Sequence, residues 1–325
     1  MRTVVTGGAG FIGSHLVESL LVRGDQVVCV ERRGASRGWL ENAAIEWAPV
    51  GLGSSDDLKR AFRGAEIVFH LAGLTQARTS EEYYKVNTEG TARVFEAAAA
   101  QETPPRVIFL SSLAAIGPCR NGERLSRHTV PYPLSHYGLS KLLAEAIVHA
   151  HADRVPVTVL RLSSVYGPRE QAVLKMFQLV RHGLAVTVGG WERQVSLIYV
   201  KDTVGTLVAA AAAAKTIGQT YCLAHPQPIR WLDFAREVGE VMGRQPVLVS
   251  VPTRIAWPIA CTVEICAAVR RVAAILNRER VREISQERWV CDPTDVIADT
   301  GYDPQYPLAR GVRETAAWYK EVGWL

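Results

Sequence analysis

Tyr137 and Lys141 lie four residues apart in the run His136–His151, whose apolar spacing predicts a helix. Residues i and i+4 are neighbours on a helix, so the phenol and the ammonium share one face. A free tyrosine titrates near ~10, and a close ammonium favours its phenolate. The pair therefore predicts a tyrosine of lowered pKa that exchanges a proton with an alcohol or carbonyl oxygen. Ser111 and Ser112 follow the predicted strand Arg106–Leu110. They fall at the carboxyl end of an α/β sheet, where such folds bind ligands. A hydroxyl from either serine would hold the same oxygen. A Y-x-x-x-K spacing by itself is common on solvated helices, so its weight comes from what accompanies it.

The companion is at the N-terminus. Thr6-Gly7-Gly8-Ala9-Gly10-Phe11-Ile12-Gly13 joins a predicted strand, Arg2–Thr6, to a predicted helix, Phe11–Arg23. Gly7 permits a tight turn, Gly10 lets backbone approach a pyrophosphate, and Gly13 lets helix and strand pack closely. The amides opening the helix at Phe11 and Ile12 and its positive dipole end face the phosphates. A dinucleotide cofactor is the expected ligand. Glu31 closes the second strand, 18 residues after Gly13, where a carboxylate accepts from ribose hydroxyls and repels a 2′-phosphate. That favours NAD. Arg32 and Arg33 follow at once and would suit the phosphate of NADP, which keeps NADP open.

The elements that must hold these groups alternate. Strands are expected at Arg2–Thr6, Gln26–Val30, Glu66–His70, Arg106–Leu110 and Val157–Leu162. Helices are expected at Phe11–Arg23, Asp57–Phe62, Glu82–Gln101 and His136–His151. Apolar strands separated by helices imply a parallel sheet covered on both faces, an α/β fold of the Rossmann doubly wound kind. After Gly167 a helix over Gln171–His182 and a strand over Leu184–Val188 are expected. A strand at Val195–Val200 and a helix at Thr203–Ala214 are expected to return to the first domain, followed by a strand near Thr220–Leu223. The expected division is a dinucleotide-binding domain over 1–168 with 195–224, and a smaller, mainly C-terminal substrate-binding lobe over 169–194 and 225–325.

Composition narrows the class. The 325 residues are 48% hydrophobic and 21% charged, which is globular composition, and 325 residues suggest about two domains. The net charge of +5 is too small and dispersed to indicate nucleic acid. The six cysteines form no C-x-x-C pair, and three of them lie in apolar runs, as buried thiols do. No metal site is expected, because His149 and His151 have the wrong spacing for one helical face. Ile255–Ile275 is the most apolar late stretch, but Pro258, Glu264, Arg270 and Arg271 interrupt it, so no membrane span is expected. Ordinary packing within the lobe is its plainest role, and a roof over a lipid-like substrate the sharper one. The arginines at 270, 271, 278, 280 and 282 read most simply as a solvated helix face. A soluble, cytoplasmic, reduced protein is expected, with no leader before the first strand.

Taken together, these residues resemble the extended short-chain dehydrogenase/reductase family, which includes NAD-dependent nucleotide-sugar epimerases and dehydratases and 3β-hydroxysteroid dehydrogenases. Further matching pieces are His70-Leu71-Ala72-Gly73, Asn87 with Gly90-Thr91, Leu160-Arg161-Leu162, Val165-Tyr166-Gly167-Pro168-Arg169, Tyr199-Val200-Lys201-Asp202 and Trp318-Tyr319-Lys320. The resemblance implies that Leu71, Ala72 and Gly73 lie along the cofactor and that Asn87 holds the helix bearing the active site. It implies Ser112 as the catalytic serine, Tyr137 as acid/base, Lys141 also on the nicotinamide ribose, and Leu162–Val165 facing the nicotinamide. It further implies a homodimer through Glu82–Gln101 and His136–His151.

Three positions depart from the family pattern. Leu52, in Val50-Gly51-Leu52, stands where an adenine-binding aspartate is common. Leu162 stands for a proline. Val195 stands seven residues before Asp202, where nucleotide-sugar epimerases commonly carry an arginine; Arg193 lies near with different spacing. The expected activity is hydride transfer between a secondary alcohol or ketone and NAD(P), with Ser112 and Tyr137 gripping the oxygen. A UDP-sugar epimerase or dehydratase with tightly held NAD is the alternative. A non-catalytic dinucleotide sensor is a third reading, against which the intact Ser112, Tyr137 and Lys141 argue. The substrate is in each case a small molecule.

Overall fold

The structure is a computed structural model and describes residues 1–120, 122–274 and 276–325; Ile275, the end of the apolar late stretch, lies outside the described residues. Six strands are labelled β1 (Arg2–Thr6), β2 (Gln26–Val30), β3 (Glu46–Ala48), β4 (Ile67–His70), β5 (Arg106–Ser112) and β6 (Val157–Leu162). With the strand Thr220–Leu223 they form one seven-stranded sheet in the order β3-β2-β1-β4-β5-β6 and then Thr220–Leu223. Every neighbouring pair is parallel. The strand order reverses between β1 and β4, which opens a crevice at their carboxyl ends. This is the doubly wound α/β sheet expected from the alternation.

Two apolar layers cover the sheet. One side packs Leu16, Val17 and Leu20 of helix α1 (Phe11–Val22) with Leu207 and Ala210 of the helix Val200–Ala212. The other packs Val94, Phe95 and Ala98 of the helix Gly90–Ala99 with Ala144 and Val148 of the helix His136–Ala150. The strands alternate their contributions, Val5 to the first layer and Val4 to the second, so burial on both faces accounts for their unbroken apolar runs. A third, aromatic cluster lies among the helices Leu174–Arg181, Trp231–Met242 and Leu308–Glu321, around Phe177, Phe234 and Tyr319.

Several expected boundaries move. Ser111 and Ser112 are the last two residues of β5 rather than a loop after it. The expected helix Glu82–Gln101 is three pieces: an α turn Ser80–Tyr83, a π-helical stretch Tyr84–Glu89, and the α-helix Gly90–Ala99. Val195–Val200 divides into Gln194–Val195 and Leu197–Tyr199, which each pair outside the seven-stranded sheet, and the helix after it starts at Val200 with Asp202 in its first turn. Asp202 is fully buried and accepts from Tyr302 Oη and from the amides of Gln305 and Tyr306. The short helix expected at Asp57–Phe62 runs Ser55–Ala61, because the Ser54 hydroxyl accepts from the Asp57 amide and caps it.

Candidate active site

The crevice begins at the glycine loop. Gly7 has φ +73°, and a Cβ there would stand 2.9 Å from the Ala72 backbone. A Cβ on Gly13 would stand 2.1 Å from the Gly7 carbonyl oxygen, so only glycine lets α1 close onto the loop. Gly10 is the N-cap of α1 and supplies no side-chain cap, which leaves the first-turn amides at Phe11 and Ile12 to the crevice. Glu31 reaches the loop as well, and its Oε1 accepts from the Ala9 amide at 2.9 Å. Burial holds the Glu31 carboxyl above the usual carboxylate range, with the Ala9 bond and Arg32 pulling the other way. This cradle fits a dinucleotide pyrophosphate beside a ribose-binding carboxylate. Arg32 is exposed, and Leu52 packs on Gly90, where a Cβ would meet its Cδ1 at 3.0 Å.

A directed hydrogen-bond chain joins the loops across the crevice. The Ala72 amide donates to Thr6 Oγ1 at 3.2 Å, and Thr6 Oγ1 meets His70 Nδ1 at 2.7 Å. His70 Nε2 meets Thr91 Oγ1 at 2.9 Å, and that hydroxyl donates to the Asn87 carbonyl at 2.6 Å. Because Thr91 uses its proton on Asn87, it must accept from His70, which sets the Nε2–H tautomer. Burial, with Lys141 adding to it, pushes the imidazole down to about 3, so His70 is a neutral relay between elements.

Asn87 fastens the active-site helix. Its Oδ1 accepts from the Leu74 amide at 2.7 Å, and its Nδ2 donates to the Leu74 carbonyl and the Ser140 hydroxyl, both at 3.0 Å. Thr88 Oγ1 adds a bond to the Ser140 carbonyl at 2.9 Å. Both residues lie in the π-helical stretch, a distortion that often marks functional sites.

Tyr137 and Lys141 occupy the helix His136–Ala150 as the spacing requires. The expected ammonium effect on the phenol does not appear. Burial pushes Tyr137 above its ordinary value and outweighs a hydrogen bond from Ser112. Lys141 instead turns inward: its Nζ donates to the Leu110 carbonyl at 2.6 Å and lies 4.7 Å from the Phe109 ring centroid. Burial pushes Lys141 down to about 8, against the pull of Glu145. The two serines of β5 separate in role. Ser111 is buried and donates to Glu145 Oε1 at 2.5 Å, whereas Ser112 is half-buried beside Tyr137 and accepts from the Ala114 amide at 3.1 Å. Glu145 is also held by Arg161, Nη2 to Oε2 at 2.9 Å, in a buried ion pair under the site.

Some of the surrounding groups have no sequence motif. Ser163, between Leu162 and Val165 at the carboxyl end of β6, has a buried hydroxyl with no partner among the described residues. The helix Arg278–Ile284 reaches the start of the active-site helix: Glu283 Oε1 accepts from Ser135 Oγ, and Glu279 Oε2 accepts from the His136 amide at 3.1 Å. Tyr84 Oη meets His136 Nδ1 at 2.7 Å, and the Tyr83 ring lies 6.0 Å from that of Tyr137. Arg193 is buried. Its Nε donates to the Gly190 carbonyl, its Nη2 to Thr187 Oγ1, and its Nη1 to the Ile284 carbonyl.

The profile of the NAD dependent epimerase/dehydratase family matches residues 3–224. The chain belongs to this family. It is an NAD-dependent enzyme, and NAD is its cofactor. Among similar proteins, "Ceramide reductase" of Caulobacter vibrioides is 28% identical over 99% of this chain and 95% of its own length. "3beta-hydroxysteroid-dehydrogenase/decarboxylase isoform 1" of Arabidopsis thaliana is 26% identical over 96% of this chain and 78% of its own. A solved structure of MoeE5 with UDP-glucuronic acid and NAD superposes with a TM-score of 0.78 over 99% of this chain and all of that one, at 24% identity. That likeness speaks to the fold. Among the described residues no helix is long and apolar enough to cross a membrane.

Proposed function

We propose that this enzyme is an NAD-dependent oxidoreductase that interconverts a secondary alcohol and a ketone on a largely apolar substrate. The observation that carries this reading is the state of Arg193. Its guanidinium is buried and committed to Gly190, Thr187 and Ile284, while Val195, at the epimerase arginine's position, is a buried strand residue. Neither residue offers a cation to a sugar diphosphate. The names of the ceramide and hydroxysteroid relatives, whose matches span most of this chain, support the same substrate class.

Bound NAD supplies two-electron exchange at the substrate carbon. Gly7, Gly10, Phe11, Ile12 and Gly13 would hold its pyrophosphate and Glu31 its adenosine ribose. Ala72, Gly73 and Ser163 would line the nicotinamide end of the crevice. Ser112 holds the substrate oxygen. Tyr137, kept protonated by burial, gives its proton to that oxygen as a ketone is reduced and takes it back in the reverse direction. Lys141, which here donates to the Leu110 carbonyl, would hold the nicotinamide ribose. The lobe over 169–194 and 225–325 completes the substrate pocket, and exposed Leu139 and Leu143 give the active-site helix an apolar edge for a homodimer.

Hydroxysteroids, β-keto lipids and UDP-sugars assayed side by side test the reading. Stoichiometric NADH consumption or production with a lipid-like ketone or alcohol is expected. Epimerisation of a UDP-sugar without net cofactor change would replace it with the epimerase reading.

A further inference from the structure

The helix Thr253–Arg270 rests on the protein through small residues. Ala256, Ala260 and Ala267 are buried on its inner face, the first two against Val281. Its outer face carries Ile255, Ile259, Ile265 and Val269 at 49, 47, 66 and 80% exposure, a stripe running the length of the helix. A surface helix ordinarily turns charge outward. Between Arg254 and Arg270 this one has a single charged residue, Glu264, whose carboxylate is tied to the amide and guanidinium of Arg278.

The charge gathers at the ends. Arg254 lies at one end and Arg270 and Arg271 at the other, all exposed, and Arg278, Arg280 and Arg282 follow on the next helix. Over residues 253–282 there are six arginines and two glutamates, and both glutamates face protein partners. Apolar faces left open on a soluble fold mark contact sites. A second copy of this chain is a poor occupant. A two-fold contact through the helix sets arginine ends against arginine ends, whichever way the helices run. An anionic bilayer matches both features, since the stripe reaches the acyl boundary and the arginines meet lipid phosphates.

We propose that the helix Thr253–Arg270 docks this enzyme on the surface of an anionic lipid bilayer, without crossing it. The docked helix packs through its inner face on Val281 of the next helix, which holds Ser135 and His136 through Glu283 and Glu279, so the membrane contact lies one helix away from the active site. Lipid docking stands apart from the redox reading and is measured without substrate.

Flotation of the full chain with vesicles of phosphatidylcholine alone, and of phosphatidylcholine with phosphatidylglycerol, tests it. Binding to the anionic vesicles is expected, falling with added salt. Ile265→Glu with Val269→Glu should lower binding at least about tenfold, and Arg270→Glu with Arg271→Glu severalfold, with circular dichroism unchanged. The exposure of all four positions protects the fold. Absence of binding to the anionic vesicles, or binding indifferent to the Ile265 and Val269 changes, overturns the proposal. So does light scattering that shows a dimer which those same changes dissociate, since the stripe would then be a self-association surface.

Discussion

Ser135 donates its hydroxyl proton to Glu283 at 2.5 Å, across a sequence separation of 148 residues, while the same oxygen caps the Gly138 amide. The first turn of the active-site helix, which carries Tyr137, is thus held by a carboxylate from the far end of the chain. Burial keeps Glu283 above the usual carboxylate range, although Ser135 and Arg280 oppose this. A carboxyl with a raised folded-state pKa adds stability below its unfolded value, and that stability is lost as pH rises through the folded value. Glu283→Gln, which resembles the protonated form, should remove this pH dependence and leave KM close to that of the parent. Glu283→Ala should raise KM by looseness at the helix start. Steady-state kinetics and urea unfolding at several pH values check both outcomes.

Tyr137→Phe should lower kcat/KM at least about 100-fold, because it removes the proton exchanged with the substrate oxygen. NAD affinity, read by fluorescence titration, should change little. Ser112→Ala should act on the same parameter less severely, and Ser111→Ala should act through stability by leaving Glu145 short of a donor. A Ser111 variant slow in turnover but normal in stability would reverse the two assignments.

Lys141 costs the cofactor-free protein stability at neutral pH. Its pKa falls from 10.5 in the unfolded chain to about 8 in the folded one, so the stability it contributes is full above 10.5 and lost as pH falls through 8. Lys141→Met should stabilise the cofactor-free protein by about 1–3 kcal/mol at pH 7 while weakening NAD binding. The gain should shrink as pH rises toward 10.5, which urea unfolding at pH 7 and 10 measures.

His70 makes the fold sensitive to acid. Held neutral with a pKa of about 3 against 6.5 unfolded, it contributes stability above 6.5 that is lost as pH falls toward 3. The slope should approach about 1.4 kcal/mol per pH unit in that window. His70→Gln, whose amide can both donate and accept but does not titrate, should flatten it, as thermal melts between pH 4 and 7 would show.

Glu31→Ala should raise affinity for NADP relative to NAD, since the carboxylate that repels a 2′-phosphate is gone and Arg32 is exposed beside it. An unchanged ratio in competitive titrations would remove Glu31 from cofactor choice.

The sheet and the crevice were legible in sequence because their determinants are local. The glycine loop, the alternation of apolar strands with helices, and Tyr137 with Lys141 are set by residues within a few positions of each other. The direction of the Tyr137 shift was not legible: spacing placed an ammonium nearby, but only the fold shows Lys141 turned onto Leu110 and the phenol desolvated. The ion pair of Glu145 with Arg161 and the reach of Glu283 to Ser135 join distant elements and leave no periodic trace. Arg193 sat within two residues of the epimerase position, yet its burial removed it from ligand chemistry.

The π-helical stretch Tyr84–Glu89 has a consequence for how this chain tolerates length change. A π turn holds more residues than an α turn, so deleting one residue from it would restore a regular helix without breaking the chain's path. The repair would be locally comfortable and functionally ruinous. The flanking helices would keep their phase, but the side chains within the stretch would each move one position along it. Asn87 would then lose its place against Leu74 and Ser140, or Tyr84 its place against His136. Within these six residues the insertion and deletion record of this enzyme should be silent, even where substitutions abound.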